Sequence, residues 1–308
     1  MLRSICLITL VGLSSGPLRA IVVASGDPNS SPVAVGYSNS VVNGIGQTVN
    51  LSGVVNIGNC SGSLLSDGYS ILTAEHCVTP FMGDPLPSSI TVDFQGPSGI
   101  VADTATTYYL YPGWTGDSTQ GGDLAVLRLD QAAPSFATRY SLYTGFFTTS
   151  PILLAGYGMT GVGAVGCCGF GVLRQGQNQY VGLGGNVFTG WSDDLLVGQF
   201  VEDSDIPNEV DIGPGDSGGP SFYDGEIIGV HDVVACISAT SSGPCLVPPS
   251  ASPSINSSFG QFFGDTSVSA YASWIESEET PEPASCSLVL MGLAVAGCLR
   301  RRTGRRLS

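Results

Sequence analysis

Gly215-Asp216-Ser217-Gly218-Gly219-Pro220 sets the reading of this chain. Ser217 is a candidate nucleophile, and the two glycines after it leave room for a substrate backbone to approach. The glycine at 215 allows a bend that aims the N–H groups of Gly215 and Ser217 at one point, as an oxyanion hole requires. Nucleophile, oxyanion donors and the neighbouring carboxylate of Asp216 in one turn point to acyl transfer. A serine hydroxyl is a poor nucleophile until a base removes its proton, so the chain must also supply that base.

Of the two histidines, His76 lies in Leu72-Thr73-Ala74-Glu75-His76-Cys77, after the apolar run Tyr69-Ser70-Ile71-Leu72, where a strand should meet a loop. His231 follows Ile227-Ile228-Gly229-Val230 and reads as part of another strand. A third group must orient the imidazole of the base. Asp123, in Gly121-Gly122-Asp123-Leu124-Ala125-Val126-Leu127-Arg128-Leu129, enters an alternating apolar strand behind two glycines and is the candidate.

Thr73-Ala74-Glu75-His76-Cys77, Asp123-Leu124-Ala125-Val126-Leu127 and Gly215 to Pro220 together resemble the three catalytic blocks of trypsin/chymotrypsin-like serine proteases, in the order His, Asp, Ser. Gly156-Tyr157-Gly158 is similar to that family's glycine-aromatic-glycine turn opening the second barrel, and Tyr271-Ala272-Ser273-Trp274-Ile275 to its C-terminal helix. The resemblance covers roughly Ile21 to Glu279. It implies a secreted serine endopeptidase acting through an acyl-enzyme, with His76, Asp123 and Ser217 as catalytic residues, the Gly215 and Ser217 amides as oxyanion hole, and no cofactor or metal.

The same resemblance implies that Asp216 pairs with a freshly liberated N-terminal ammonium. Ile21-Val22, directly after a signal peptide, and Val41-Val42-Asn43-Gly44, which resembles the family's activation sequence, are both candidates for that terminus. Ile21 is favoured because signal peptidase would generate it unaided. Asp211, six residues before Ser217, has the spacing of the pocket-floor aspartate that selects Arg or Lys. Gly213 replaces the family's pocket cysteine, and His231-Asp232-Val233-Val234 its serine-tryptophan-glycine wall, so the basic preference is open. His231 is read as a hydrogen-bonded histidine beneath that wall, and Glu75 as a solvated neighbour of the active-site loop. The competing function is a surface binding or matrix protein on the same fold with little or no activity.

The 308 residues include no lysine, and the formal net charge is −15. Between Asp27 and Glu282 the chain sets all twenty-five acids against Arg128, Arg139 and Arg174, an excess of 22 negative charges. Such a body repels nucleic acid and anionic membrane and favours neutral or basic substrates.

Both ends read as targeting segments. Met1-Leu2-Arg3 and the apolar residues 5–13 form a secretory signal ending near Ala20, so residues 1–20 are assigned to it. Pro281-Glu282-Pro283, the apolar residues 284–299 and the arginine cluster Arg300 to Arg306 resemble a PEP-CTERM sorting signal handled by an exosortase-type enzyme, and 280–308 are assigned to that tail. Sixteen helical residues span about 24 Å, enough for a short transmembrane helix that anchors the chain before processing. The arginines would stay cytoplasmic and the catalytic body outside, in the envelope or beyond it. A monomer is expected.

Removing the cysteines of the signal and tail leaves Cys60, Cys77, Cys167, Cys168, Cys236 and Cys245, an even number suited to an oxidising exterior. The resemblance implies a Cys60–Cys77 bridge behind His76. Cys236 with Cys245 is the simplest further pair, and Cys167 and Cys168 stay open between a vicinal bridge, thiols and crossed bridges. No CxxC pair or nearby histidine favours a metal, and Asp203, Asp205 and Glu209 read as a solvated loop before a calcium site. Short alternating runs such as Gly53 to Ile57, Ile90 to Phe94 and Leu124 to Leu129, divided by Gly, Pro, Ser and Asn, give an all-β class. The resemblance resolves residues 21–279 into two packed six-stranded antiparallel β-barrels with a short C-terminal helix.

Overall fold

The computed structural model describes residues 21–24, 41–42, 48–79, 86–167, 171–238 and 244–279. The signal residues, Cys168 and the sorting tail lie outside that set.

The described chain builds two closed barrels of six strands each. The first comprises Val54–Asn56, Ser61–Leu64, Ser70–Thr73, Ile90–Gly96, Gly99–Leu110 and Ala125–Leu129. The second comprises Pro151–Gly156, Arg174–Leu183, Leu195–Gln199, Pro220–Tyr223, Glu226–Ala235 and Phe262–Ser267. Each runs spatially as first, second, third, sixth, fifth and fourth strand and closes on itself, with antiparallel pairing throughout. The repeated topology has no counterpart in repeated sequence.

A period of two residues sorts side chains between layers. In Ala125–Leu129, Ala125, Leu127 and Leu129 fill the first barrel with Val55, Ile71 and Phe94. Val126 points the other way, into a cluster it shares with Leu153, Ala155 and Phe222 of the second barrel. Leu153 and Ala155 lie in that shared layer, while Ile152 and Leu154 turn into the second barrel with Tyr180 and Phe263. These strands therefore bury both faces, which explains their nearly unbroken apolar runs.

The helix Val268–Glu278 continues directly from the last strand and buries Val268, Tyr271 and Ile275 along one face. Tyr271 and Trp274 meet Tyr111 of the first barrel edge-on, at ring distances of 4.9 and 5.2 Å. The C-terminal helix thus clasps the segment leading to Asp123, whose neighbour Leu124 accepts the Tyr111 amide at 3.0 Å.

A smaller sheet lies beside the second barrel. Ile21–Val23 runs parallel to Thr160–Val162 and antiparallel to Val210–Asp211. Among the described residues, Val41–Val42 instead pairs with Thr48–Val49 alone.

Candidate active site

His76 follows the strand Ser70–Thr73 in a short 3-10 turn, Glu75–Cys77, closed by the Cys77 amide on the Ala74 carbonyl. Asp123 is fully buried at the entrance to Ala125–Leu129, which pairs directly with the strand before His76. That adjacency brings together two residues 47 positions apart. Asp123 holds the histidine twice: its Oδ1 accepts the His76 main-chain N–H at 2.8 Å, and its Oδ2 takes the ring Nδ1. The His76 side chain remains 32% exposed. Nδ1–H bonded to a carboxylate leaves Nε2 as the lone-pair nitrogen, able to take a proton.

Ser217 is half-buried in the loop before Pro220–Tyr223. Its carbonyl accepts the Ser61 amide at 2.8 Å and lies 3.6 Å from Cys77 Sγ, so the loop rests on the segment carrying His76. Ser61 does more than this. Its hydroxyl donates to the Gly215 carbonyl and accepts the Tyr157 amide, both at 2.9 Å, tying the first barrel to the serine loop and to the turn after Pro151–Gly156. No sequence motif marked Ser61 beyond its place after Cys60.

The hexapeptide's glycines are structural requirements. Gly218 has φ +77°, and a Cβ there would collide with Thr73 Oγ1 and the Ser61 carbonyl. The amides of Asp216, Gly218 and Gly219 donate to main-chain carbonyls, whereas those of Gly215 and Ser217 have no acceptor among the described residues. Two free, adjacent donors beside a serine can stabilise an oxyanion.

Asp216 is fully buried behind this turn, accepting the Gly158 and Gly213 amides at 2.8 Å on its two oxygens. Burial pushes its carboxyl up to about 6, opposed by those amides and by the charges of His231 and Arg174. Gly156 and Gly158 are needed for close approach, since a Cβ at either would strike Asp216. Ile21 is also fully buried, and its carbonyl accepts Thr160 Oγ1 at 2.9 Å.

Asp211 is buried without exposure, with the Ile212 amide on Oδ1 at 2.9 Å and no hydrogen-bond partner for Oδ2 among the described residues. Burial first, then the charges of Glu209, Asp216 and Asp265, hold its carboxyl well above the usual range. His231 is buried against Asp265, Nδ1 to Oδ1 at 2.9 Å, and Asp265 also takes the Tyr180 and Ser221 hydroxyls. His231 therefore belongs to a core network, as its strand position suggested.

Glu75 departs from expectation. It is 8% exposed rather than solvated, and burial followed by the Asp123 charge raises its carboxyl to about 7. Asp232 was read only as part of the pocket wall, with no tie to Asp123. It is 7% exposed, and one of its oxygens lies within 4.8 Å of donor atoms of His76 and Asp123. An imidazole and two carboxylates are donor types for a divalent cation. Here, however, both Asp123 oxygens and His76 Nδ1 are already engaged with each other. Asp203, Asp205 and Glu209 are not brought together within ligand reach.

Bridges join Cys60 to Cys77 and Cys236 to Cys245, as expected. Cys167 lies at the end of the short strand Gly166–Cys167.

Comparison with known families gives two matches. The model of the Trypsin family matches residues 39–244, and that of the PEP-CTERM protein-sorting motif matches residues 279–306. A search of curated proteins returned no match.

Proposed function

The chain belongs to the trypsin family and is a serine endopeptidase carrying a signal for export and sorting to the cell envelope; from that premise we propose how its own residues act. Ser217 attacks the scissile carbonyl while His76 Nε2 takes the hydroxyl proton, and the same imidazole returns that proton to the leaving amine. Asp123 fixes the tautomer, and the Gly215 and Ser217 amides hold the oxyanion. Water then repeats the sequence on the acyl-enzyme. The observation that carries this reading is the double grip of Asp123 on His76, main chain and ring together, beside a serine loop fastened through Ser61.

Activation uses Ile21. Its strand is inserted beside Val210–Asp211, five residues before Asp216, whereas Val41, among the described residues, pairs with Thr48–Val49 alone. Ile21 also has φ +65°, a strained value for a β-branched residue, and one that cleavage before it would relieve. Signal peptidase cutting after Ala20 would release the ammonium that Asp216 receives. On this reading the protease unit spans 21–279, because the second barrel closes only through Phe262–Ser267 and is followed by the helix Val268–Glu278. Residues 284–299 anchor the monomeric enzyme until an exosortase-type protein removes the tail.

Cleavage after Arg or Lys is assigned to Asp211, whose unpartnered buried oxygen would be satisfied by a cationic side chain. Fluorophosphonate labelling followed by peptide hydrolysis tests the whole reading. The folded wild-type protein should label at Ser217 and cut, and Ser217→Ala should do neither. A folded chain that does not label is instead a binding protein on this scaffold.

A further inference from the structure

Asp232 sits at an irregularity in the sheet. The strands Glu226–Ala235 and Phe262–Ser267 pair His231 with Asp265 and Val233 with Gly264, which leaves Asp232 unpaired between them. A bulge of this kind turns one side chain away from the regular alternation. His231 therefore points to Asp265 in the barrel core, while a carboxylate oxygen of the buried Asp232 comes within 4.8 Å of one of Asp123.

The local bonding is short of one donor. Asp232 Oδ2 accepts the Thr266 hydroxyl at 3.1 Å, and Ser118 also hydrogen-bonds the carboxyl. Oδ1 is buried with no hydrogen-bond partner among the described residues. Across from it, Asp123 already receives two donors from His76. Charging both of two neighbouring buried carboxylates is costly, which favours a proton on one of them. Asp123 already receives two donors and Asp232 Oδ1 receives none, so the proton is placed on Asp232, where it turns the orphan oxygen into a donor.

We infer that Asp232 is a protonated carboxylic acid that donates a hydrogen bond to Asp123 and so positions that carboxylate against His76. It is a positioning residue, and its role in turnover rests on the proposed catalytic trio. Burial, and then the charge of Asp123, hold its carboxyl well above the usual range. Among the described residues, His76 and Glu75 on the first barrel and Tyr271 on the C-terminal helix, whose hydroxyl donates to Asp194, also face this cluster.

Two measurements test it. In Ser217→Ala protein at neutral pH, the infrared carbonyl band of a protonated acid should lose one group when Asp232→Asn is added. An unchanged band, with one carboxylate lost instead, overturns the inference whether or not the protein is a protease. In active enzyme, Asp232→Ala should lower kcat about 10- to 100-fold with KM little changed. Asp232→Asn, which keeps a donor, should recover most of that loss, and wild-type circular dichroism spectra confirm that both variants fold. Asp232→Asn falling as far as Asp232→Ala rules out the donor role.

Discussion

Val22 pairs with Asp211 in antiparallel register, which carries the fully buried Ile21 alongside the segment leading to Asp216. If the ammonium of Ile21 orders the oxyanion hole, one additional residue in front of it should disable the enzyme. Protein beginning at Ile21 should be active, while the same protein with an extra alanine should lose about 10²–10³-fold in kcat, comparable to removing an oxyanion donor. Asp216→Asn should lose as much. Equal activity of the two starts would detach Ile21 from activation.

Glu75 gives a stability prediction with a definite sign. Its carboxyl is raised from 4.5 to about 7, so the folded protein binds this proton more tightly than the unfolded chain. This group's contribution to folding stability therefore falls as pH rises from about 4.5 to about 7 and is constant above that. Glu75→Gln cannot ionise. Its Tm should match wild type at pH 4 and exceed it at pH 8, by about 2–4 °C for each kcal/mol of that lost contribution. A deficit of similar size at both values would mean that Glu75 is ionised and well bonded.

What could be read in the sequence was chemistry tied to residue type. His76, Asp123 and Ser217 stood in recognisable blocks, and alternating runs gave strands such as Ala125–Leu129 within a residue or two. Pairing between distant strands was not readable. Asp232 owes its position to a bulge set by the register between Glu226–Ala235 and Phe262–Ser267, and nothing local distinguishes it from an ordinary strand aspartate. Glu75 was misjudged for a related reason. Its charge suggested solvent, but its surroundings are built from Tyr111 and Asp123, more than thirty residues away.

Cys60 and Cys77 bracket the two strands that end in the His76 turn, 17 residues apart. Closing a loop of that length restricts the unfolded chain by about 3 kcal/mol. Replacing both with serine should lower stability by about that amount in urea titration, and should also lower kcat, because Cys77 lies against the Ser217 carbonyl. An unaltered kcat in the folded double variant would limit the bridge to stability.

Asp211 makes specificity depend on pH. Its carboxyl is fully buried, held well above the usual range, and has one oxygen unpartnered among the described residues, which favours the protonated form. An arginine side chain reaching this oxygen would favour the carboxylate and expel the proton. Higher pH makes that release easier. The ratio of kcat/KM for an Arg peptide over an otherwise identical Ala peptide should therefore rise from pH 6 to 9. Asp211→Ala should cut that ratio on the order of 100-fold and abolish its pH dependence. Steric walls oppose this: Val234 stands opposite Phe263 on the paired strands, and both pack with Ile212. Should those side chains fill the pocket, Ala peptides will be preferred at every pH and Asp211→Ala will not alter the preference, which would remove Asp211 from substrate recognition.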